Sequence, residues 1–271
     1  MRKKLLWSMV AAVVLSLSFV GCNTNNPDEP RNVDENGALN GKFSISGYKQ
    51  IQFSRGNLQY QASTNTWRFA EHQWDRVGKD NKNISPTYDG WIDLFGWGTG
   101  NNPTLATMTG DDYLIFTDWG INKISNGGNV ANLWRTPTKE EWEYVLFTRS
   151  NAEKLRSPAR VNNTEGYVLL PDKWSLPNGL SFVANADNWT TNTYESAAWQ
   201  KMEASGAVFF PACGFRICEN LLGGGGHYAS STQIKENGIE YYYETFLKKD
   251  GAEVCRSSIY NASSVRLIKV Q

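Results

Sequence analysis

The feature that most limits the fold is a stretch rich in Gly, Asn and Trp that has neither helical nor strand periodicity. It is clearest in GWIDLFGWG at 90–98, and the 271-residue chain holds 11 Trp, 12 Tyr and 12 Phe. A long loop without regular structure needs apolar anchors, and aromatic rings are the largest available. We therefore expect a long ordered loop packed on its own aromatic side chains. An aromatic content of 13% also argues against wholesale disorder.

Short strands are predicted on both sides of this loop. Apolar and polar residues alternate with period two in 43–53, 58–60 and 67–69, and again in 265–269 at the end of the chain. The apolar run Ala207–Phe210 is bounded by Pro211 and predicts a central strand.

The first of two predicted helices begins at a capping box. In Thr138-Lys-Glu-Glu141 the hydroxyl can accept from the backbone of Glu141, and the carboxylate can accept from the backbone of Thr138. Trp142, Val145 and Leu146 then follow at the spacing of one buried helix face.

The second predicted helix spans Tyr194 to Ala204. Trp199 and Met202 lie on one face of it, and Gly206 is placed as its C-cap. Two helices among many short strands and long loops predict an α+β domain.

The N-terminus has the pattern of an export signal. Arg2, Lys3 and Lys4 precede an apolar run that ends in Phe19-Val20-Gly21-Cys22. This ending resembles the bacterial lipobox, in which the Cys is acylated and becomes the mature N-terminus. The resemblance implies a signal peptide at 1–21, lipidation of Cys22 and an outer-membrane anchor, with the domain on the periplasmic or the cell-surface side. The alternative is an ordinary signal peptide in which Cys22 is coincidental.

The segment after Cys22 is polar. Residues 23–40 read NTNNPDEPRNVDENGALN, a composition that cannot fold alone, so we expect a flexible tether at 22–40 and a single domain at 41–271. Removing residues 1–21 changes the net charge from zero to −3. Because the balanced charge along the sequence gives no basic footprint for nucleic acid, nucleic acid is not expected as a partner.

Six segments carry a family resemblance. They span most of the mature chain and are 43–77, GWIDLFGWGTG at 90–100, WRTPTKEEWEYV at 134–145, AVFFPACGFR at 207–216, YASST at 228–232 and SSVRLIK at 263–269. Together they resemble the bacterial major paralogous (FISUMP) family of lipoprotein domains. The helix box and the VRLIK ending are also similar to the formylglycine-generating enzymes. Both resemblances imply a C-type-lectin-like domain with two helices, short antiparallel strands and long Gly- and Trp-rich loops.

The remaining cysteines allow two interpretations. With Cys22 taken by lipid, Cys213, Cys218 and Cys255 are left in an oxidising compartment, where a bridge from Cys255 to Cys213 or Cys218 is expected. The alternative is a redox pair of Cys213 and Cys218, whose spacing is similar to that of the formylglycine-generating oxidases, which use copper and oxygen. Because 207–216 is an interior segment rather than one near the final strand, we favour the bridge.

Calcium is the metal that the sequence allows. Asp111, Asp112 and Asp118 flank a short apolar stretch and can offer oxygen ligands, but we favour a polar rim without metal, because their spacing is not that of an EF-hand loop. His72 and His227 are far apart and have no neighbouring His or Cys, which argues against zinc. No cofactor other than this calcium is expected.

Exposed aromatic rings are the candidate binding groups. We expect Trp91, Trp97 and Tyr242 to stack on a ligand, with Tyr242 lying on a predicted strand at 239–245. The sequence thus predicts a lipid-anchored, non-catalytic surface protein that binds a glycan or a protein. The alternatives are the oxidase and a structural or adhesive surface subunit.

Overall fold

We describe residues 32–270 from a computed structural model of the chain. The predicted signal peptide, the predicted lipidation site Cys22 and the first part of the predicted tether lie outside the described residues. No helix within 32–270 has the length and apolar character needed to cross a membrane.

The folded part begins earlier than the sequence predicted. Val33 and Leu39 form a β-bridge, Ala38 pairs with Ser54, and both Ala38 and Leu39 are fully buried. Asp34 forms an ion pair with Lys269 at 2.7 Å. The prediction of a tether at 22–40 is therefore wrong for residues 32–40, because two apolar side chains in an otherwise polar segment reach the core.

The first and last strands share one sheet. Strands β1 (Phe43–Ser44) and β2 (Gln50–Phe53) form a hairpin, and the other edge of β2 pairs with β14 (Ile268–Val270). Strands β3 (Leu58–Gln61) and β4 (Thr66–Phe69) form a second hairpin at the place where period-two alternation predicted strands.

The long loop is packed on its own aromatics, as predicted. Between β4 and the first helix, only the short 3-10 turns Gly78–Lys82, Gly110–Tyr113 and Trp119–Ile121 are regular. Trp97, Trp119 and Trp134 from this segment are buried together in one cluster. These buried rings anchor a loop that has little regular secondary structure.

Both predicted helices are present, with shorter bounds. Helix α1 (Lys139–Glu143) begins at the predicted capping box and continues as a π-helical turn, Tyr144–Thr148. Helix α2 spans Ser196–Ala204 and buries Trp199 and Met202. Its predicted start at Tyr194 is too early, because Tyr194 belongs to a strand.

A four-stranded sheet has the order β7-β5-β6-β8, and α2 contacts its edge strand β7. Its strands are β5 (Arg156–Val161), β6 (Thr164–Leu169), β7 (Thr193–Tyr194) and β8 (Val208–Pro211). All residues of β8 are buried, but β8 is an edge strand rather than the predicted central strand. The edge strand is buried because other segments of the domain cover it.

The remaining strands form hairpins near the end of the chain. Strands β9 (Phe215–Ile217) and β10 (Asn220–Leu222) make one hairpin, and β11 (Gly226–Glu236), β12 (Ile239–Lys248) and β13 (Gly251–Ser258) make an antiparallel meander. Two helices with small, mostly antiparallel sheets constitute an α+β architecture, as predicted.

Candidate functional site

Two of the three predicted binding aromatics are core residues. Trp97 and Tyr242 are each 1% exposed, and their rings stack with centroids 6.3 Å apart. The indole N–H of Trp97 donates to the carbonyl of Ser230 at 3.0 Å. A ligand cannot reach either ring, so the prediction that they bind one is wrong.

Trp91 is half-buried, but its ring face is occupied. The guanidinium of Arg68 lies over the ring, 3.7 Å from its centroid. This cation–π contact covers the surface on which a sugar or another ring would stack. Trp91 therefore positions Arg68 rather than presenting a free platform.

The three predicted calcium ligands do not form a site. Asp118 caps the turn that follows it, since Oδ1 accepts from the backbone of Gly120 at 2.9 Å and Oδ2 accepts from the backbone of Thr136 at 3.0 Å. Asp112 accepts from the Thr107 hydroxyl at 2.5 Å. Within 32–270, no group of three or more acidic, His or Cys side chains is arranged to hold a metal ion.

The three described cysteines are free thiols. Cys255 lies on β13 directly opposite Glu244 of β12, whereas Cys213 follows β8 and Cys218 follows β9. The expected bridge from Cys255 to Cys213 or Cys218 is therefore not formed.

Cys213 and Cys218 lie at opposite ends of β9. Both are free thiols, and no bond joins them. Burial, together with the negative charge of Asp93, raises the pKa of the Cys213 thiol far above its ordinary value. A protonated thiol is a poor nucleophile, so this arrangement does not favour a redox pair.

One open cleft does combine an accessible aromatic ring with charged side chains. We call it the Trp189 cleft, and its volume is about 510 Å³. It is lined by Arg76, Glu165, Trp189, residues 212–214, residues 223–225 and residues 248–250. Its size is that of a small-molecule site.

Trp189 is half-buried and sits on a well-ordered turn. The side-chain oxygen of Asn188 accepts from the backbone N–H groups of Thr190 and Thr191, both at 2.9 Å, and from both hydroxyl groups. The inner side of the indole packs against the apolar cluster that contains Trp142 and Phe210. The ring is therefore held in place before any ligand arrives.

Glycines bring the backbone close together on another side of the cleft. The N–H of Gly214 donates to the carbonyl of Gly225 at 2.8 Å. Gly214 has a φ of +69°, and a Cβ there would lie 2.1 Å from the carbonyl oxygen of Leu222. Because only glycine tolerates this approach, Gly214 fixes the shape of the cleft. Gly223, Gly224 and Gly225 also line the cleft.

Charged side chains of both signs surround Trp189. Glu165 pairs with Arg160 at 3.2 Å, and Lys248 pairs with Glu253 at 3.3 Å. Arg76 donates to the carbonyl of Ala212 at 3.3 Å. The walls thus offer hydrogen-bond donors and acceptors next to an aromatic face.

A buried polar network near the cleft does not have catalytic geometry. Glu244 accepts from the Ser263 hydroxyl at 3.0 Å and bonds His227 Nδ1 at 2.8 Å. The carboxylate therefore stands between the imidazole and the hydroxyl, whereas a Ser-His-Asp triad needs the imidazole in the middle. Burial, followed by the charge of Glu244, raises the pKa of Tyr242 well above its usual value. The network is a structural element of the core.

Trp189, Glu165 and the charged turn at 248–250 were not predicted from the sequence. For Trp189 the sequence does hold a local pattern, because Asn188 followed by Thr190 and Thr191 is typical of a turn capped by a side chain. The other members come together only through the tertiary fold.

Comparison with known proteins gives one partial similarity. A 91-residue stretch is 31% identical to xyloglucan endotransglucosylase protein 6 of Diospyros kaki and covers 32% of this chain. It covers 30% of that protein, so the match spans less than a third of the relative's length. No protein-family model matches the chain, and no solved structure matches it.

Proposed function

We propose that this protein is a lipid-anchored, non-catalytic surface protein that binds a glycan in the Trp189 cleft. The observation that carries the proposal is an immobilised, half-exposed indole in an open cleft of about 510 Å³. Sugars present an apolar ring face and a rim of hydroxyl groups. An aromatic platform surrounded by charged hydrogen-bonding groups complements both features.

The proposed fold is C-type-lectin-like, and the resemblance to FISUMP lipoprotein domains supports it. The α+β architecture, the capping box that begins α1 and the pairing of β14 with β2 are consistent with that fold. The calcium-dependent sugar motifs of true C-type lectins are not in the sequence, so we assign sugar binding to the Trp189 cleft instead.

The proposed anchor is Cys22, for which the lipobox-like sequence at 19–22 is the support. Two or three acyl chains on one residue anchor a protein stably, whereas one chain does not. Metabolic labelling with a palmitate analogue should tag the protein and leave a Cys22→Ala variant untagged. Equal labelling of the two proteins would end the lipoprotein proposal.

A glycan array with matched Trp variants tests the proposed binding site. We expect the protein to retain a defined set of glycans and Trp189→Ala to weaken that binding by about tenfold or more, since a stacked ring contributes on the order of 1–2 kcal/mol. Trp189→Phe should keep most of the affinity. Trp91→Ala is the matched control, because its ring face is already occupied by Arg68. Unchanged binding by Trp189→Ala would assign the ligand to another surface.

An adhesive subunit is the second candidate, favoured by an exposed apolar loop. Ile115 is 83% exposed and Met108 is 63% exposed, within the same loop. Exposed apolar side chains that lie close together favour contact with another protein. Sedimentation analysis of the protein and of Ile115→Ser would detect self-association through this loop.

A further inference from the structure

A second cleft lies at a different place on the domain. We call it the Lys42 cleft; its volume is about 370 Å³. It is lined by residues 40–42, Gln50, residues 171–173 and residues 204–206. Three segments that are distant in the sequence therefore meet there: the start of β1, the loop after β6 and the end of α2.

The first described residue is tied to the rim of this cleft. Asn32 accepts from the backbone N–H of Asn40 at 3.2 Å, and its side chain donates to Glu203 at 2.9 Å. Asn40 lines the cleft and Glu203 precedes the lining residue Ala204. The chain on the N-terminal side of Asn32 thus starts from this side of the domain.

The distance to the proposed anchor is short. Ten residue steps separate Cys22 from Asn32. A chain reaches at most about 3.3–3.6 Å per residue, so the segment between Cys22 and Asn32 can span at most roughly 35 Å. That limit is close to the diameter of a small domain. An anchor at Cys22 therefore keeps this face of the domain near the lipid headgroups.

The face around the cleft is basic. Lys42, Lys49 and Lys173 are all exposed. None of these lysines forms an ion pair with a carboxylate of residues 32–270. Basic groups near a membrane favour anionic lipids by about a fivefold factor per residue.

The acidic groups beside these lysines are already engaged. The Asp172 carboxylate accepts from Arg149 at 2.9 Å and from Gln50 at 2.8 Å. Glu203 accepts from the neutral side-chain amides of Asn32 at 2.9 Å and of Gln73 at 2.6 Å, so it keeps its negative charge. Three lysines against this one carboxylate leave the face with an excess of positive charge.

An exposed tyrosine completes the surface. Tyr48 is at the tip of the β1–β2 hairpin and is 86% exposed. The ammonium group of Lys49 lies 5.8 Å from the centre of its ring. Tyrosine is enriched at the membrane–water interface, because its ring is apolar and its hydroxyl is polar.

We propose that the Lys42 cleft and the Tyr48 hairpin tip dock on the anionic headgroups of the membrane that holds the protein. This inference rests on the proposed lipid anchor at Cys22. The docked orientation turns one particular face of the domain toward the lipid and leaves the remaining faces for ligands.

Hydrogen exchange on the full lipidated protein in vesicles tests the docking. The protein is reconstituted in phosphatidylcholine vesicles with and without phosphatidylglycerol, after mass spectrometry has verified the acyl group on Cys22. We expect exchange in peptides covering 41–50 and 171–174 to slow on the order of tenfold in anionic vesicles alone. High salt should reverse the slowing and leave the protein attached through its acyl chains.

Two triple variants provide the matched comparison. Lys42→Gln, Lys49→Gln and Lys173→Gln together should abolish the slowing. Lys79→Gln, Lys82→Gln and Lys123→Gln remove the same charge from other exposed positions and should preserve it.

The outcomes separate the two proposals. An acylated protein with equal exchange in both vesicles, or with slowing confined to other segments, would overturn the docking and leave the lipoprotein intact. Slowing that survives in the first triple variant would also overturn it. A protein without an acyl group on Cys22 would overturn both.

Discussion

The guanidinium of Arg149 lies 2.9 Å from the carboxylate of Asp172, and its side chain is 1% exposed. Arg149 also donates to the carbonyls of Val145 and Leu170. Asp172 accepts from Ser44 at 2.6 Å. This one pair therefore joins the turn after α1, the loop after β6 and the β1–β2 hairpin.

Replacing Asp172 with Asn should destabilise the domain by about 2–3 kcal/mol at neutral pH, because it leaves Arg149 buried without a counter-charge. Burial alone would raise the pKa of Asp172, but hydrogen bonds from Ser44 and Gln50 and the pair with Arg149 outweigh it and hold the pKa below 3.8. The charged form stabilises the fold above that pH, and this contribution is lost as the pH falls through the lowered native pKa. Urea unfolding at several pH values measures this contribution to the free energy of unfolding.

The difference in free energy of unfolding between the wild type and Asp172→Asn should therefore shrink as the pH falls below about 4. Asp89→Asn is a control at an exposed carboxylate. A constant difference between wild type and Asp172→Asn from neutral to acidic pH would show that the charge of Asp172 is not the source of its effect.

Trp97 should behave as a core residue. Trp97→Ala should lower the free energy of unfolding by about 3–5 kcal/mol, because it removes a large ring from the cluster that also holds Trp119. Trp97→Phe should cost less, although it leaves the carbonyl of Ser230 without its donor. Denaturant unfolding followed by circular dichroism gives both values. Loss of ligand binding with unchanged stability would instead return Trp97 to the binding site.

Local signals in the sequence predicted local structure well. The Thr138–Glu141 capping box is formed with both of its hydrogen bonds, because its partners lie within one helical turn. The period-two pattern located β3 and β4 for the same reason. The interpretation failed for Trp97 and Tyr242, because exposure of a ring depends on segments far away in the chain. Ser230 and Trp97, for example, are 133 residues apart.

The Trp189 cleft could not be predicted for a related reason. Its walls come from Arg76, Glu165, the glycines near 224 and the turn at 248–250, and no spacing in the sequence links them. The sequence did not predict that residues 32–40 belong to the fold. The segment is polar in composition, and only Ala38 and Leu39 from it enter the core.

The thiol of Cys255 should react slowly in the native protein. Burial, followed by the negative charges of Glu244 and Glu253, raises the pKa of Cys255 to about 12. At pH 8 the thiolate fraction is then about one in ten thousand, so alkylation should be roughly a thousandfold slower than in the unfolded chain. Timed iodoacetamide labelling followed by peptide mass mapping measures the rate.

The same mapping under non-reducing conditions tests the thiol state. A disulfide that links Cys255 to Cys213 or Cys218 would contradict the free thiols of the structure and restore the bridge expected from the sequence. Equal native and unfolded rates would contradict the raised pKa.

Gly214 and Gly223 should respond differently to the same substitution. Gly214→Ala should destabilise the domain by about 1–3 kcal/mol, because its φ is +69° and the new Cβ meets the carbonyl of Leu222. Gly223→Ala should change stability by less than about 0.5 kcal/mol, because nothing lies within 4 Å of the added atom. Thermal unfolding of both variants checks the contrast, and equal melting temperatures would refute the close approach at Gly214.

Strand β2 pairs with β1 on one side and with β14 on the other, so the sheet joins segments more than 200 residues apart. Such non-local pairing slows folding, because the entropy cost of closing the intervening chain comes before the paired strands stabilise the fold. A chain that emerges N-terminus first cannot complete this sheet until Ile268 has also emerged. Until then, β2 presents an unpaired edge that chaperones or other strands can occupy. The interval between the emergence of β2 and that of β14 is therefore when this protein is most exposed to misassembly.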